Sequence, residues 1–320
     1  MTRIMFCLSL KSTDPFFNLA LEEILLKNRK EEFLILGIND PSVVIGKHQV
    51  PHRETNTRFI TENNIPVIRR ISGGGTVFHD LGNLNFSFIM QSEAGKQVDF
   101  RKYTLPVLSF LTTLGVDAKF EGKNDLKVDG LKISGNAEHI HHNRVLHHGT
   151  LLFEASLDIL RNSLRKDRRN YTSRAVESNP SPVINLKEIV KNVKDITQFR
   201  SKMMSWFLDN MPDAEIYTPG REEVAEAESL AESKYRTWEW NFAYGPEYHF
   251  NDSFELNGRH FFGNFFVKDG VIRECKFEGS DQMVPVARNL GGIRHMPADM
   301  LAVMWENGVE INEDEIFRFF

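Results

Sequence analysis

Residues 69–87 read RRISGGGTVFHDLGNLNFS, and the reading of this stretch decides the fold class. Upstream, Pro66-Val67-Ile68 is a short β-prone run; downstream, Phe86 and Phe88 alternate with Asn85, Ser87 and Ile89. The glycines therefore join a strand to a strand. The common nucleotide motifs join a strand to a helix, as Lys-Ser/Thr-ended P-loops or spaced GxGxxG repeats. Consecutive Gly73, Gly74 and Gly75 allow positive φ and let a ligand approach the backbone closely. Exposed N–H groups in such a loop form a nest for phosphate or carboxylate oxygens. Arg69 and Arg70 add fixed positive charge suited to oxyanions. A glycine-rich hairpin without a ligand is the competing reading, because glycine clusters also mark bare turns.

Around this segment the periodicity alternates between helix and strand. Asp14-Pro15 reads as an N-cap and first helical residue, and Phe17, Leu21, Ile24 and Leu25 follow at helical spacing. Strands are expected over 33–38 and 42–45, separated by Asn39-Asp40-Pro41, then a short helix within 51–63. Helices over 99–114 and 195–209 and strands near 116–120, 131–138 and 145–153 complete a mixed α/β pattern. From about 245 the chain changes to short β segments with turns at Asn257-Gly258 and Asp269-Gly270. The expectation is a catalytic domain over 1–244 and a small α+β accessory domain over 245–320. Residues 161–182 are basic, polar and Pro-containing, and are expected to be a mobile segment.

The bulk properties exclude more than they select. A chain of 320 residues with formal net charge −5 is not a strongly basic nucleic-acid binder. Cys7 and Cys275 form neither a disulfide framework nor a zinc spacing. No run of about 18 apolar residues marks a membrane span, and the N-terminus lacks a signal-peptide pattern. The expected location is cytoplasmic.

Two further segments carry chemistry. In Lys123–Ala137, KNDLKVDGLKISGNA, Lys132 sits on a strand between Leu131 and Ile133, so regular alternation places it on the face of Gly130 and Ser134. Such a lysine neutralises a carboxylate and an α-phosphate together if it faces a pocket. Taken alone, it reads first as a solvated strand lysine, because lysines are mostly exposed. Asn124 and Asp125 are candidate oxygen ligands for magnesium. The third segment, Val145–Phe153, VLHHGTLLF, follows HIHHN at 139–143. These histidines straddle a hairpin with no cysteine beside them, which weighs against zinc. His79 reads as a binding or positioning residue, since no nucleophile is placed beside His79-Asp80.

Taken together, the three segments resemble the lipoate–protein ligases. RRISGGGTVFHDLGN is similar to their RRxSGGGxVxHDxGN signature, GLKISGNA to their lysine motif, and HHGTLLF to the strand that follows. DPFFNLALEE, VVIGKHQ and TSRAVESNPSPVINL are similar as well, the last to the loop that closes over the adenylate. One departure is Val50-Pro51, where the family usually has Asn-Pro. The resemblance implies the mixed-sheet catalytic fold shared with biotin protein ligases, plus an accessory domain. It implies ATP, Mg²⁺ and lipoate as cofactor and substrates. Arg70, Gly75, Thr76, Val77 and Phe78 would contact the nucleotide, and catalytic Lys132 would bridge the acyl carbonyl and α-phosphate. Ser72, Gly73, Gly74, His79, Asn83, Ser134, Gly135, Ala137, Gly149 and Thr150 would line the same cleft, with Asp125 on magnesium.

The implied reaction activates lipoate to lipoyl-AMP with release of pyrophosphate. The acyl group then passes to a lysine of lipoyl domains, such as those of E2 subunits and the glycine cleavage H-like protein. Arg161, Arg165, Lys166, Arg168, Arg169 and Arg174 are candidates for steering an acidic partner; a solvated basic helix end is the plainer reading. The alternatives are a lipoyltransferase using preformed lipoyl-AMP, an octanoyl transferase of the same fold, and a non-catalytic carrier.

Overall fold

The computed structural model describes residues 4–92, 99–256, 258–279, 281 and 283–320. Its strands, in chain order, are β1 (Met5–Ser9), β2 (Glu32–Gly37), β3 (Ser42–Ile45), β4 (Val67–Arg69), β5 (Val77–His79), β6 (Asn83–Gln91), β7 (Lys119–Glu121) and β8 (Asp125–Val128). There follow β9 (Leu131–His141), β10 (Arg144–Leu152), β11 (Tyr171–Thr172), β12 (Ala214–Ile216), β13 (Tyr248–Leu256), β14 (Arg259–Lys268) and β15 (Val271–Glu278). They divide between two compact units. The first takes in Met1–Lys47, Ile68–Arg161 and Ser178–Arg236; the second takes in His48–Val67, Asn162–Glu177 and Thr237–Phe320. The run 245–320 lies in the second unit, together with two earlier pieces of chain.

In the first unit, an eight-stranded sheet runs in the order β12-β1-β2-β6-β10-β9-β8-β7. β1 pairs in parallel with β2 and β12, and the ladders from β2 to β7 are antiparallel, so the sheet is mixed. A three-stranded sheet, β4-β3-β5, carries the glycine segment between its outer strands. One face of the large sheet packs on helices Phe100–Thr113 and Ile196–Asn210. Phe199, Met203 and Phe207 recur every fourth residue along the second helix and are all buried against Phe110, Phe153 and Phe88. Each such side chain contributes about 1.5–3 kcal/mol by leaving water. Helix Pro15–Asn28 lies on the other face, and its N-terminus is capped as the sequence suggests, Phe16 N–H donating to Asp14 Oδ1 at 2.9 Å.

Turn chemistry sets the registers that matter. Asp129 and Gly130 have φ of 50° and 78°, the left-handed pair that a two-residue hairpin needs between β8 and β9. In the second unit, Asp269 and Gly270 repeat this between β14 and β15, with φ of 52° and 68°. Asn257 of the other expected turn lies outside the described residues. The second unit's sheet runs β11-β13-β14-β15, and its Phe-rich core includes Phe250, Phe254, Phe265 and Phe277 with Met300 and Met304. Segment 161–182 is not structureless: β11 pairs with β13, Tyr171 opposite Phe250. Among the described residues, no helix is long and apolar enough to cross a membrane.

Candidate active site

Arg70 shapes the glycine loop from within. Its Nε donates to Ser72 Oγ at 2.9 Å, one terminal nitrogen donates to Val44 O at 3.2 Å, and the other donates to Gly73 O at 2.5 Å and Gly75 O at 2.7 Å. Burial lowers the guanidinium to about 10, partly offset by Glu22, so it stays charged at neutral pH. Gly74 takes φ of 83°, and a Cβ on Gly46 would collide with the Gly74 carbonyl oxygen, so the loop closes only over glycine. Arg70 therefore acts on the loop's carbonyls, an intermediary position between the sequence signature and any nucleotide. Arg69 is likewise turned inward, donating to Lys47 O at 3.0 Å.

Beneath the loop runs a line of polar contacts that sequence spacing does not reveal. Ser72 Oγ lies 2.6 Å from His148 Nε2, and His148 Nδ1 lies 3.0 Å from Glu22 Oε1. Ser87 Oγ donates to the other Glu22 oxygen at 2.5 Å. A carboxylate can only accept, so His148 Nδ1–H is the donor toward Glu22. These partners lie 76, 126 and 65 residues apart. Two consecutive acids in an otherwise apolar helix, Glu22-Glu23, were the available signal.

His79 is held differently. Its Nδ1 lies 3.0 Å from Asn39 Nδ2, whose own oxygen accepts from Asn18 at 2.8 Å, so Nδ1 is the acceptor and Nε2 carries the proton. Burial first, then the charges of Arg70 and His148, push the imidazole down to about 3. It is a neutral donor at physiological pH. Asp80 is no partner to it: its oxygens accept from Gly82 N at 3.0 Å and Ser156 N at 2.7 Å, tying down a turn.

Lys132 lies beside a bulge. β8 pairs Asp125 with Gly135 and Leu126 with Ser134, then skips to Lys127 with Lys132, leaving Ile133 as the extra residue. Lys132, opposite Lys127, shares a face with Asp125, and the slip brings Gly135 rather than Ser134 onto that face. Its Nζ lies 2.8 Å from Asp125 Oδ1, and a Cβ on Gly135 would stand 3.0 Å from that Nζ. Ser134 points to the opposite face, beside core residue Leu126, and accepts from Asn136 Nδ2 at 3.3 Å. Gly149 also belongs to that face, because a Cβ there would meet Phe86 and Asn136. Neither faces Lys132, although alternation suggested it for Ser134 and the family resemblance implied a cleft position for both. Ala137, Thr150 and Asn83 do share the site face: Ala137 approaches Gly74, Thr150 Oγ1 accepts from Gly135 N at 3.3 Å, and Asn83 donates to Asn85 at 2.8 Å.

The segment after the basic run bridges loop and lysine. Thr76 N–H donates to Ser178 Oγ at 2.8 Å, while Lys132 N–H donates to Pro182 O at 2.8 Å and Ile184 N–H to Lys132 O at 3.1 Å. The basic run itself is largely spent on internal contacts. Arg165 donates to His52 O at 2.8 Å, Arg168 lies 3.3 Å from Glu54, and Arg169 pairs with Asp167 at 2.6 Å. It offers much less free charge for steering a partner than its composition implies. Among the described residues, no three His, Cys, Asp or Glu side chains are grouped to hold a metal.

This fold and these motifs are those of a protein-modifying ligase: the family model for the lipoyl protein ligase A/B catalytic domain matches residues 14–208. The chain belongs to the lipoate–protein ligase family. Lipoate–protein ligase 1 of Staphylococcus aureus is 38% identical over 269 residues, covering 83% of this chain and 82% of that protein. A lipoate-protein ligase A structure bound with ATP is similar with a TM-score of 0.64 and 28% identity, over 76% of this chain and 99% of that one. The bi-partite lipoate protein ligase of Thermoplasma acidophilum, studied with its E2 lipoyl domain, gives 0.64 and 27%, over 75% and 97%.

Proposed function

We propose that the chain activates lipoate with ATP, forming lipoyl-AMP and pyrophosphate, and transfers the lipoyl group to a lysine of a lipoyl domain. The observation that carries this is the meeting of lysine and loop. A Cβ on Gly135 would lie 3.0 Å from Lys132 Nζ and 3.9 Å from Val77 Cγ1, so both border one small space. ATP and an E2 lipoyl domain are named for the two similar structures above, and both are extended here to this chain. The glycine cleavage H-like protein is a further candidate acceptor, and a cytoplasmic setting goes with this reading.

In the first step a lipoate carboxylate oxygen attacks the α-phosphorus and the bond to the β-phosphate bridge breaks. Lys132 offsets charge on both reacting groups, and the glycine loop presents backbone N–H groups to phosphate oxygens. The Ser178–Ile184 segment lies against both, which keeps water from the acyl-adenylate. In the second step the acceptor amine attacks the acyl carbonyl, the bond to the AMP oxygen breaks, and the amine gives up its proton. Asn124 and Asp125 do not fit the Mg²⁺ that the family resemblance implies: Asp125 faces the Lys132 ammonium, and Asn124 Nδ2 donates to Asn136 O at 2.5 Å. The cysteine-thioester route of an octanoyl transferase finds no support, because burial pushes the Cys7 thiol up to about 11 and Cys275 up to about 12.

Mixing the protein with ATP, Mg²⁺ and lipoate, without acceptor, is expected to release pyrophosphate and leave bound lipoyl-AMP visible by mass spectrometry. Silence in that assay, with a lipoyl domain modified once lipoyl-AMP is supplied, would make the chain a transferase.

A further inference from the structure

We propose that Asp125 is a positioning residue for Lys132, and that it presents the lysine to substrate in place of the magnesium role its sequence suggests. The inference rests on the ligase reading above. Three features converge on the pair. Lys132 stands opposite Lys127, two residues from Asp125 on the same face, and the two side chains meet at 2.8 Å, while the bulge at Ile133 brings Gly135 rather than Ser134 opposite Asp125. The lysine backbone is pinned on both sides, its N–H to Pro182 O and its carbonyl to Ile184 N–H. The residue before Asp125 is anchored as well. Asn136 N and Nδ2 both donate to Asn124 O, at 3.0 and 2.9 Å, while Asn124 Nδ2 returns a bond to Asn136 O.

The chemistry favours lysine over metal as the partner of this carboxylate. Magnesium asks for near-octahedral oxygen ligands, and a cation beside an ammonium at contact distance meets repulsion. Both side chains are about one-fifth exposed, 22% for Lys132 and 19% for Asp125, so water screens the pair only in part. A lysine side chain has four rotatable bonds and loses much freedom when held in one geometry. Asp125 makes that selection before substrate arrives. An ammonium has three N–H donors; one goes to Asp125, and the others serve the lipoate carboxylate and the α-phosphate.

The test is lipoate-dependent ATP–pyrophosphate exchange by the full chain carrying Asp125→Asn, measured across Mg²⁺ concentrations. The expected result is a fall in kcat of about 10- to 100-fold, since loss of alignment at a reacting centre costs on that order. The half-saturating Mg²⁺ and the KM for ATP should stay at wild-type values. A several-fold rise in half-saturating Mg²⁺, with the rate restored by excess metal, would overturn the proposal, as would an unchanged kcat. A second measurement reads the coupling directly through the Kd for lipoyl-AMP. Asp125→Asn should weaken binding in the parent chain and add nothing on a Lys132→Gln background, whereas additive losses would refute positioning through the lysine. Wild-type protein silent in exchange would sink the ligase reading instead, and the lipoyl-AMP cycle would still decide the role of Asp125.

Discussion

His147 and His148 are neighbours in the chain and point to opposite faces of β10. His148 faces the glycine loop, between Ser72 and Glu22. His147 faces the helical layer, 2.8 Å from Glu138 and ringed by Phe86, Phe88, Phe100 and Tyr103. Both are imidazoles bonded to a glutamate through Nδ1. The difference lies in what fills the rest of the surroundings: loop, arginine and lysine on one side, close-packed aromatics on the other. Residue type therefore says little about role at this strand, and sheet parity says nearly everything. One face is built for chemistry and the other for stability.

The sharpest way to break that contrast is to empty the core face. His147→Ala removes the hydrogen bond to the buried Glu138 and opens a cavity among the aromatics, which together are expected to lower unfolding free energy by about 3–5 kcal/mol. Urea unfolding measures it, and exchange activity per folded molecule should stay within about twofold of wild type. On the site face the reverse is expected. Lys132→Ala should cut adenylation about 10²- to 10³-fold while leaving the urea midpoint nearly unmoved. A large stability loss there would erase the distinction.

The smallest effect concerns protons. Burial lowers the His147 pKa below 6.5, with Glu138 opposing, so the folded state resists a proton that the unfolded chain accepts. Above pH 6.5 both states are neutral and stability is unaffected by this group. As pH falls below 6.5 the unfolded chain gains the proton first, and stability drops by up to about 1.4 kcal/mol per pH unit. His147→Gln should make the stability slope between pH 6.5 and 5.5 shallower by up to that amount. An identical slope in urea titrations of the two proteins would show that His147 contributes nothing there.

Much of this architecture is legible in the sequence, for local reasons. The Asp14 cap, the Asp129-Gly130 turn and the strand–glycine–strand segment each follow from backbone preferences of a few adjacent residues. The convergence of Ser72, His148 and Glu22 does not, because only tertiary packing brings them together. Ile133 gives no sign of being an extra residue, since a β-branched side chain inside a strand looks regular. That one hidden slip misplaced Ser134. The basic run is only partly legible for another reason: composition counts charges and cannot tell which ones the fold pairs, as it does Arg168 with Glu54.

The bulge at Ile133 has a consequence for anyone who edits or transplants this site. The ladder has its slack at that one residue: the Asp129-Gly130 turn sets Lys132 opposite Lys127, Asp125 stands opposite Gly135, and Ile133 takes up the difference. Removing Ile133 would leave Lys132 two places from Gly135, still on the Asp125 face by plain alternation, and would cost only the local bend and twist of the bulge. A change of length is absorbed there, whereas the same change between 134 and 141 would turn every following side chain of the strand to the other face.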